Sequence, residues 1–122
     1  MDAKALVVKS AVVNGVRVLE PQGRIDSSSV VTMDAAFHQG LAPGGNPLLV
    51  DMSGVDYISS GGLRSFLLTL KEVKKREGKM CLCNLTPSVS KVFKLAGFNT
   101  IFDIRAGRDE AIADLEKTPH AP

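Results

Sequence analysis

Two hydroxyl side chains and two glycines adjoin near the middle of the 122-residue chain, as Ser59-Ser60-Gly61-Gly62. The apolar run at residues 48–52 precedes them and predicts a strand, and an amphipathic pattern predicts a helix that begins at about Ser60. Backbone N–H groups at the start of a helix lack partners and attract anions. The segment can therefore cap a helix, hold an anion or meet a partner protein.

Three further polar residues are expected at the same edge of the fold. Asp26 and Ser27 follow a predicted strand, and Arg64 lies one helical turn beyond Ser60. Asp26 can cap the next helix or contact a partner, and Arg64 can face solvent or a partner. The two glycines leave room for a second backbone to approach closely.

The sequence contains no recognisable catalytic or metal-binding motif. It has no Gly-x-x-x-x-Gly-Lys phosphate loop and no Gly-x-Ser-x-Gly elbow, and its two histidines, His38 and His120, lie far apart. Cys81 and Cys83 share one face of a predicted strand but have no further ligands nearby, which favours reduced core thiols. We predict no enzyme activity, no cofactor and no metal.

Composition indicates one ordinary globular domain. Hydrophobic residues make up 44% of the chain, charged residues 23%, and the net charge of +2 gives no reason to expect nucleic acid. No apolar run approaches the roughly 18 residues of a membrane helix, and the first residues lack a signal-peptide pattern. We predict a single domain over residues 1–117, a disordered tail over residues 118–122 and a cytoplasmic location.

The order of elements predicts an α/β fold that opens with an antiparallel hairpin. Asn14-Gly15 separates two valine-rich runs, and both residues tolerate the positive φ of a tight turn. Helices are then predicted over residues 28–40, about 60–78, 87–97 and 108–117, and strands over residues 48–52, 79–84 and 101–104. Thr86 is the predicted N-cap of the third helix, with Pro87 as its first residue. This order indicates a mixed sheet of four to six strands with about four helices, and the strand at 48–52 lies centrally in parallel pairing.

Helical periodicity also predicts which side chains face the core. In the first helix these are Val30, Val31, Met33, Ala36 and Phe37. In the second helix they are Leu63, Phe66, Leu67, Leu70 and Val73, and in the last helix Ala111, Ile112 and Leu115.

Several segments, in this order, resemble the STAS domain, and specifically the small single-domain bacterial anti-sigma-factor antagonists. They are Gly23-Arg24-Ile25-Asp26, the run at residues 49–63, Leu85-Thr86-Pro87-Ser88-Val89, the run at residues 93–98 and Phe102-Asp103-Ile104. The resemblance extends over about residues 5–116.

The resemblance implies a switch protein that changes partners on phosphorylation. The unphosphorylated form binds an anti-sigma factor that is also a serine kinase, and phosphorylation releases it; a serine phosphatase reverses the change. Counting back from Leu63 places Ser60 at the phosphoacceptor, with Ser59 as the alternative, where the family usually has aspartate. The predicted partner-binding residues are Asp26, Ser27, Ser59, Gly61, Gly62 and Arg64.

The sequence leaves two alternatives open. One keeps the STAS fold but assigns it to another signalling complex or to a lipid-transport system. The other treats the chain as a nucleotide-binding or anion-binding module, so small-molecule binding is left open. Nucleic acid and a membrane span are not expected.

Overall fold

The long strand β2 organises the sheet. In the computed structural model, which describes residues 5–41 and 46–116, β1 (Val7–Val13) and β2 (Val16–Ile25) form an antiparallel hairpin. Asn14 and Gly15 form its turn with φ angles of 51° and 80°, the left-handed conformation expected of Asn-Gly. The ten residues of β2 allow it to run parallel to β3 (Leu48–Asp51) first and to β4 (Gly54–Ile58) further along.

Strand β3 is central in the sheet, as predicted. It pairs in parallel with β2 on one side and with β5 (Met80–Cys83) on the other, and β5 pairs in parallel with β6 (Asp103–Arg105). All residues of β3 and β5 are buried, because helices cover both faces of the sheet. The described residues thus form a mixed sheet of six strands, which confirms the predicted fold class.

The helices lie on both faces of this sheet. Three pack on one face, namely α1 (Val30–Gly40), α2 (Ser60–Lys75) and α3 (Pro87–Leu95), and α4 (Arg108–Glu116) packs on the other. Edge-to-face contacts run from Phe37 to Phe66 and from Phe66 to Phe93, with ring centroids 5.0 and 6.2 Å apart. These rings join α1, α2 and α3 and fix α2 on the sheet.

The second core lies between α4 and the strands. The predicted inward residues Ala111, Ile112 and Leu115 are all buried there. Cys81 and Cys83 are free thiols and lie in the same core, as their shared strand face predicted. Burial raises the pKa of each thiol to about 12, so both thiols stay protonated at physiological pH.

Asp51 joins β3 to α4 through a buried carboxylate. It accepts hydrogen bonds from the backbone N–H of Ser53 at 3.1 Å, from Asn84 Nδ2 at 3.2 Å and from Arg108 Nε at 3.0 Å. Arg108 also contacts Glu20 on β2 at 2.6 Å. Burial raises the pKa of Asp51, but these hydrogen bonds outweigh it and hold the pKa below its ordinary value.

Some predicted details are wrong. Strand β4 was not predicted, because a register shift opposite Gly23 and Arg24 breaks the alternation of buried and exposed residues along Gly54–Ile58. Val31 is 72% exposed, since the narrow core-facing stripe of α1 is formed by Met33 and Phe37. Helix α1 begins at Val30 rather than residue 28, and β6 spans Asp103–Arg105 rather than 101–104.

The predicted tail at residues 118–122, with His120, lies outside the described residues. Across residues 5–41 and 46–116, no helix has both the length and the apolar character that crossing a bilayer requires.

Candidate functional site

The site lies where β2 and β4 end side by side. Ile25 and Ile58, the last residues of these strands, are register partners. The backbone N–H of Ser59 donates to the carbonyl of Ile25 at 2.8 Å. Asp26 and Ser59 therefore leave neighbouring parallel strands at the same edge of the sheet, which is where ligands and partners of α/β proteins commonly bind.

The two serines have different roles in the helix start. Ser59 is the N-cap of α2, and its Oγ accepts the backbone N–H of Gly62 at 3.1 Å. Ser60 is the first residue of α2, is exposed, and its hydroxyl makes no hydrogen bond to the described residues. Ser60 is thus the serine whose hydroxyl is accessible without breaking a cap.

The two glycines also differ. A Cβ atom on Gly61 would meet only Ser59 Oγ, at 3.7 Å, so this exposed position has space. A Cβ atom on Gly62 would lie 2.8 Å from Ile25 Cγ2 and 2.7 Å from Ile58 Cγ1. The space at Gly62 is therefore filled by the protein's own strands, and the expectation that this glycine admits a partner's backbone does not fit its buried position.

Asp26 organises the turn that lies beside Ser59. Its Oδ1 accepts hydrogen bonds from the Ser28 hydroxyl at 2.7 Å and from the backbone N–H groups of Ser28 and Ser29 at 3.0 and 3.2 Å. These bonds, above all the one from the Ser28 hydroxyl, lower the pKa of Asp26 below its ordinary value. The bonded amides lie in the turn before α1, so the ionised Asp26 stabilises that turn. Ser27, between Asp26 and Ser28 in sequence, is exposed.

Arg64 and Arg24 are the cations of this edge. Arg64 lies on α2 one turn after Ser60, is exposed, and has no ion pair or hydrogen bond within the described residues. Arg24 contacts Asp26 at 3.7 Å and lies 4.1 Å above the ring centroid of Tyr57. The Arg24–Tyr57 contact was not predicted, because it depends on the unpredicted pairing of β2 with β4.

Helix α3 supports β4 from the side away from the sheet. Thr86 Oγ1 donates to the carbonyl of Val55 at 2.8 Å, and Ser88 Oγ donates to the carbonyl of Asp56 at 2.8 Å. Pro87 begins the helix after Thr86, as predicted, but the Thr86 hydroxyl bonds to β4 rather than capping its own helix. The strand that leads to Ser59 is therefore held on both sides.

Helices α1 and α2 are also linked close to the site. Ser65 Oγ donates a hydrogen bond to Asp34 Oδ1. Ser65 lies on the buried side of α2, one residue beyond Arg64. The link fixes the first turns of α2 relative to α1.

A metal centre is not evident in the described part of the chain. No group of three or more His, Cys, Asp or Glu side chains is arranged there to hold a metal ion. An open groove of about 620 Å³ lies beside β1, β2 and residues 53–56, and its lining includes Arg24 but none of residues 59–64. Ser59 and Ser60 thus lie outside this groove, at the rim of the sheet where β2 and β4 end.

Sequence comparison identifies the domain family of this protein. The family model of the STAS domain matches residues 8–111. The chain belongs to the STAS domain family.

Two named relatives agree with this membership. The anti-sigma factor antagonist BtrV of Bordetella bronchiseptica is 33% identical to this chain over 101 residues. The alignment covers 83% of this chain and 87% of that protein. The anti-sigma-B factor antagonist of Bacillus subtilis is 38% identical over 66 residues, 54% of this chain and 61% of that protein.

Two solved structures share the fold. An anti-sigma factor antagonist from Mycobacterium paratuberculosis superposes with a TM-score of 0.85 at 21% identity, over 93% of this chain and 96% of that one. The anti-sigma factor antagonist SpoIIAA in its unphosphorylated form gives a TM-score of 0.76 at 21% identity, over 95% of this chain and 100% of that one.

Proposed function

We propose that this protein is an anti-sigma-factor antagonist that works by partner switching in the cytoplasm, without catalytic activity of its own. When Ser60 is unphosphorylated, the rim binds an anti-sigma factor that is also a serine kinase. When Ser60 carries a phosphate, the kinase is released, and a serine phosphatase restores the first state. The proposed contacts are Asp26, Ser27, Ser59, Gly61 and Arg64 around Ser60.

The observation that carries this proposal is the free, exposed hydroxyl of Ser60 on the first residue of α2. The N–H groups of Ser60 and Gly61 have no acceptor within the described residues, whereas Gly62 N–H is bonded to Ser59. A phosphate on Ser60 therefore meets two free amides and the positive end of the helix dipole. The domain can accept the modification without losing its cap.

The effect of the phosphate is expected at the partner's surface. It adds about −1.5 to −2 charges at neutral pH to a rim that already holds the Asp26 carboxylate. A docked partner would have to desolvate this charge, which weakens the complex. A loss of about 3 kcal/mol would lower the affinity by roughly two hundredfold.

Phosphate mapping tests the acceptor. The protein is incubated with the cognate kinase and ATP, and mass spectrometry locates the phosphate. We expect modification of Ser60 in the wild type and none in Ser60→Ala, while Ser59→Ala remains a substrate. A phosphate on Ser59, or none on either serine, contradicts the assignment.

Calorimetric titration with the kinase tests the switch. We expect Ser60→Ala to bind as the wild type does and Ser60→Asp to bind at least tenfold more weakly. Asn46→Asp is the matched control, because it adds the same charge at an exposed position before β3, at the opposite end of the sheet. Equal affinities of Ser60→Ala and Ser60→Asp would exclude partner switching at this residue.

A further inference from the structure

Arg64 differs from every other arginine of the chain. All six arginines lie within the described residues, and five of them have side-chain partners. The partners are Ser10 for Arg17, Asp26 for Arg24, Glu72 for Arg76, Asp103 for Arg105 and Asp51 for Arg108. Arg64 alone has none among the described residues.

The position of Arg64 relative to Ser60 is set by the helix. Both residues lie in α2, four apart, so their side chains occupy the same face about one turn apart. Side chains of a helix lean toward its N-terminus. The Arg64 side chain therefore leaves the helix toward its Ser60 end, from which the guanidinium can reach a group on Ser60.

No carboxylate pairs with Arg64 within the described residues, and the nearby Asp34 carboxylate on α1 accepts the Ser65 hydroxyl on the buried side of α2. The first turn of α2 contains no acidic residue, and the nearby Asp26 carboxylate is occupied by the Ser28 hydroxyl, by two backbone amides and by Arg24. A cation near the positive end of a helix dipole is unfavourable unless an anion lies beside it. A phosphate on Ser60 would supply that anion.

We propose that Arg64 is the intramolecular partner of the Ser60 phosphate. In the unmodified protein, the guanidinium is free to pair with a carboxylate of the docked partner. In the modified protein, the guanidinium instead forms a charge-assisted ion pair with the phosphate oxygens, one helical turn toward the N-terminus. Phosphorylation then changes the rim twice, since it adds an anion and also removes the free cation. This inference rests on the proposed function for its biological role, although the ion pair can be measured alone.

Phosphorus NMR measures the ion pair without any partner. Phosphoserine is introduced at position 60 during translation, and the second ionisation of the phosphate is followed between pH 4 and 8. A neighbouring guanidinium favours the dianion, so we expect the phosphate pKa of the Arg64→Gln protein to lie higher by roughly 0.5. Arg64→Lys should shift the phosphate pKa part of the way back toward the wild-type value, because lysine keeps the charge but cannot form a bidentate hydrogen bond.

Lys71→Gln is the matched control for loss of a positive charge. Lys71 is also exposed on α2 but lies eleven residues beyond Ser60, so we expect the phosphate pKa to match that of the wild type. Equal phosphate pKa values in the wild type and Arg64→Gln would overturn the inference. So would an equal change in Lys71→Gln, because the effect would then be one of net charge only.

Binding measurements connect the ion pair to the switch. In the unmodified protein, Arg64→Gln should weaken binding of the kinase several-fold, and phosphorylation should lower affinity less in this variant than in the wild type. Equal effects of phosphorylation in both backgrounds would overturn the role of Arg64 in the switch. If the kinase binds the modified and unmodified wild type equally while NMR detects the ion pair, the proposed function fails and the ion pair stands.

Discussion

Ser59 Oγ accepts the backbone N–H of Gly62 at 3.1 Å and so caps α2, while the adjacent Ser60 hydroxyl bonds to none of the described residues. Ser59→Ala removes the cap and is expected to lower the free energy of unfolding by about 1 kcal/mol. Ser60→Ala removes no such bond and is expected to change it by less than about 0.5 kcal/mol. Urea unfolding of the two variants measures the difference, and equal losses would show that Ser59 is not the stabilising cap.

The adjacent glycines should respond in opposite ways to alanine. Gly62→Ala places a methyl group against Ile25 and Ile58 at 2.8 and 2.7 Å, and we expect a loss of roughly 1 to 3 kcal/mol. Gly61→Ala has room and replaces a flexible helical glycine, so a gain of about 0.5 kcal/mol is expected. Thermal unfolding compares them directly; a Gly62→Ala protein as stable as the wild type would contradict the close packing of α2 on the strands.

The buried carboxylate of Asp51 should make stability depend on pH. Its pKa is lowered in the folded protein, so its contribution is present above the unfolded value of about 4 and is lost as pH falls through the folded value. At pH 7 we expect Asp51→Asn to lose about 1 to 2 kcal/mol, since Arg108 keeps Glu20 as a second partner.

Urea unfolding of wild type and Asp51→Asn at several pH values tests this dependence. The difference between the two proteins should shrink as pH falls below about 4. Asp103→Asn is a suitable control, because Asp103 is exposed and pairs with Arg105 at the surface. A difference that stays constant from pH 7 to pH 3 would contradict the lowered pKa of Asp51.

The cysteines should not react with thiol reagents in the folded protein. Cys81 and Cys83 are only 1% and 0% exposed, and burial raises the pKa of each to about 12. At pH 8 we expect an aromatic disulfide reagent to label neither thiol in native protein and both in urea. Rapid labelling of the native protein would show that the core beneath α4 opens readily.

Local chemistry explains which features the sequence revealed. The hairpin turn depends on two adjacent residues, Asn14 and Gly15, and the buried strand β3 on a continuous apolar run, so both could be read without tertiary information. The start of α2 at Ser60 was predictable for the same reason, because the amphipathic pattern of the helix begins there.

The missed features depend on contacts between distant parts of the chain. Strand β4 pairs with the C-terminal half of β2 through an irregular register, and the sequence of neither strand indicates this pairing by itself. The different roles of Gly61 and Gly62 follow from the side chains of Ile25 and Ile58, which lie above only one of them. The sequence alone therefore gives no reason to expect different surroundings for Gly61 and Gly62.

The hydrogen bonds of Thr86 and Ser88 to β4 have a consequence for how the protein is recognised. With β2 on one side and these hydroxyls on the carbonyls of Val55 and Asp56, β4 cannot readily accept a guest strand from another protein. A partner that docks beside Ser60, as proposed, would then contact the end of this strand through its side chains. Substitutions there can alter partner choice while the sheet remains intact, so closely similar copies of this domain could coexist in one cell without exchanging partners.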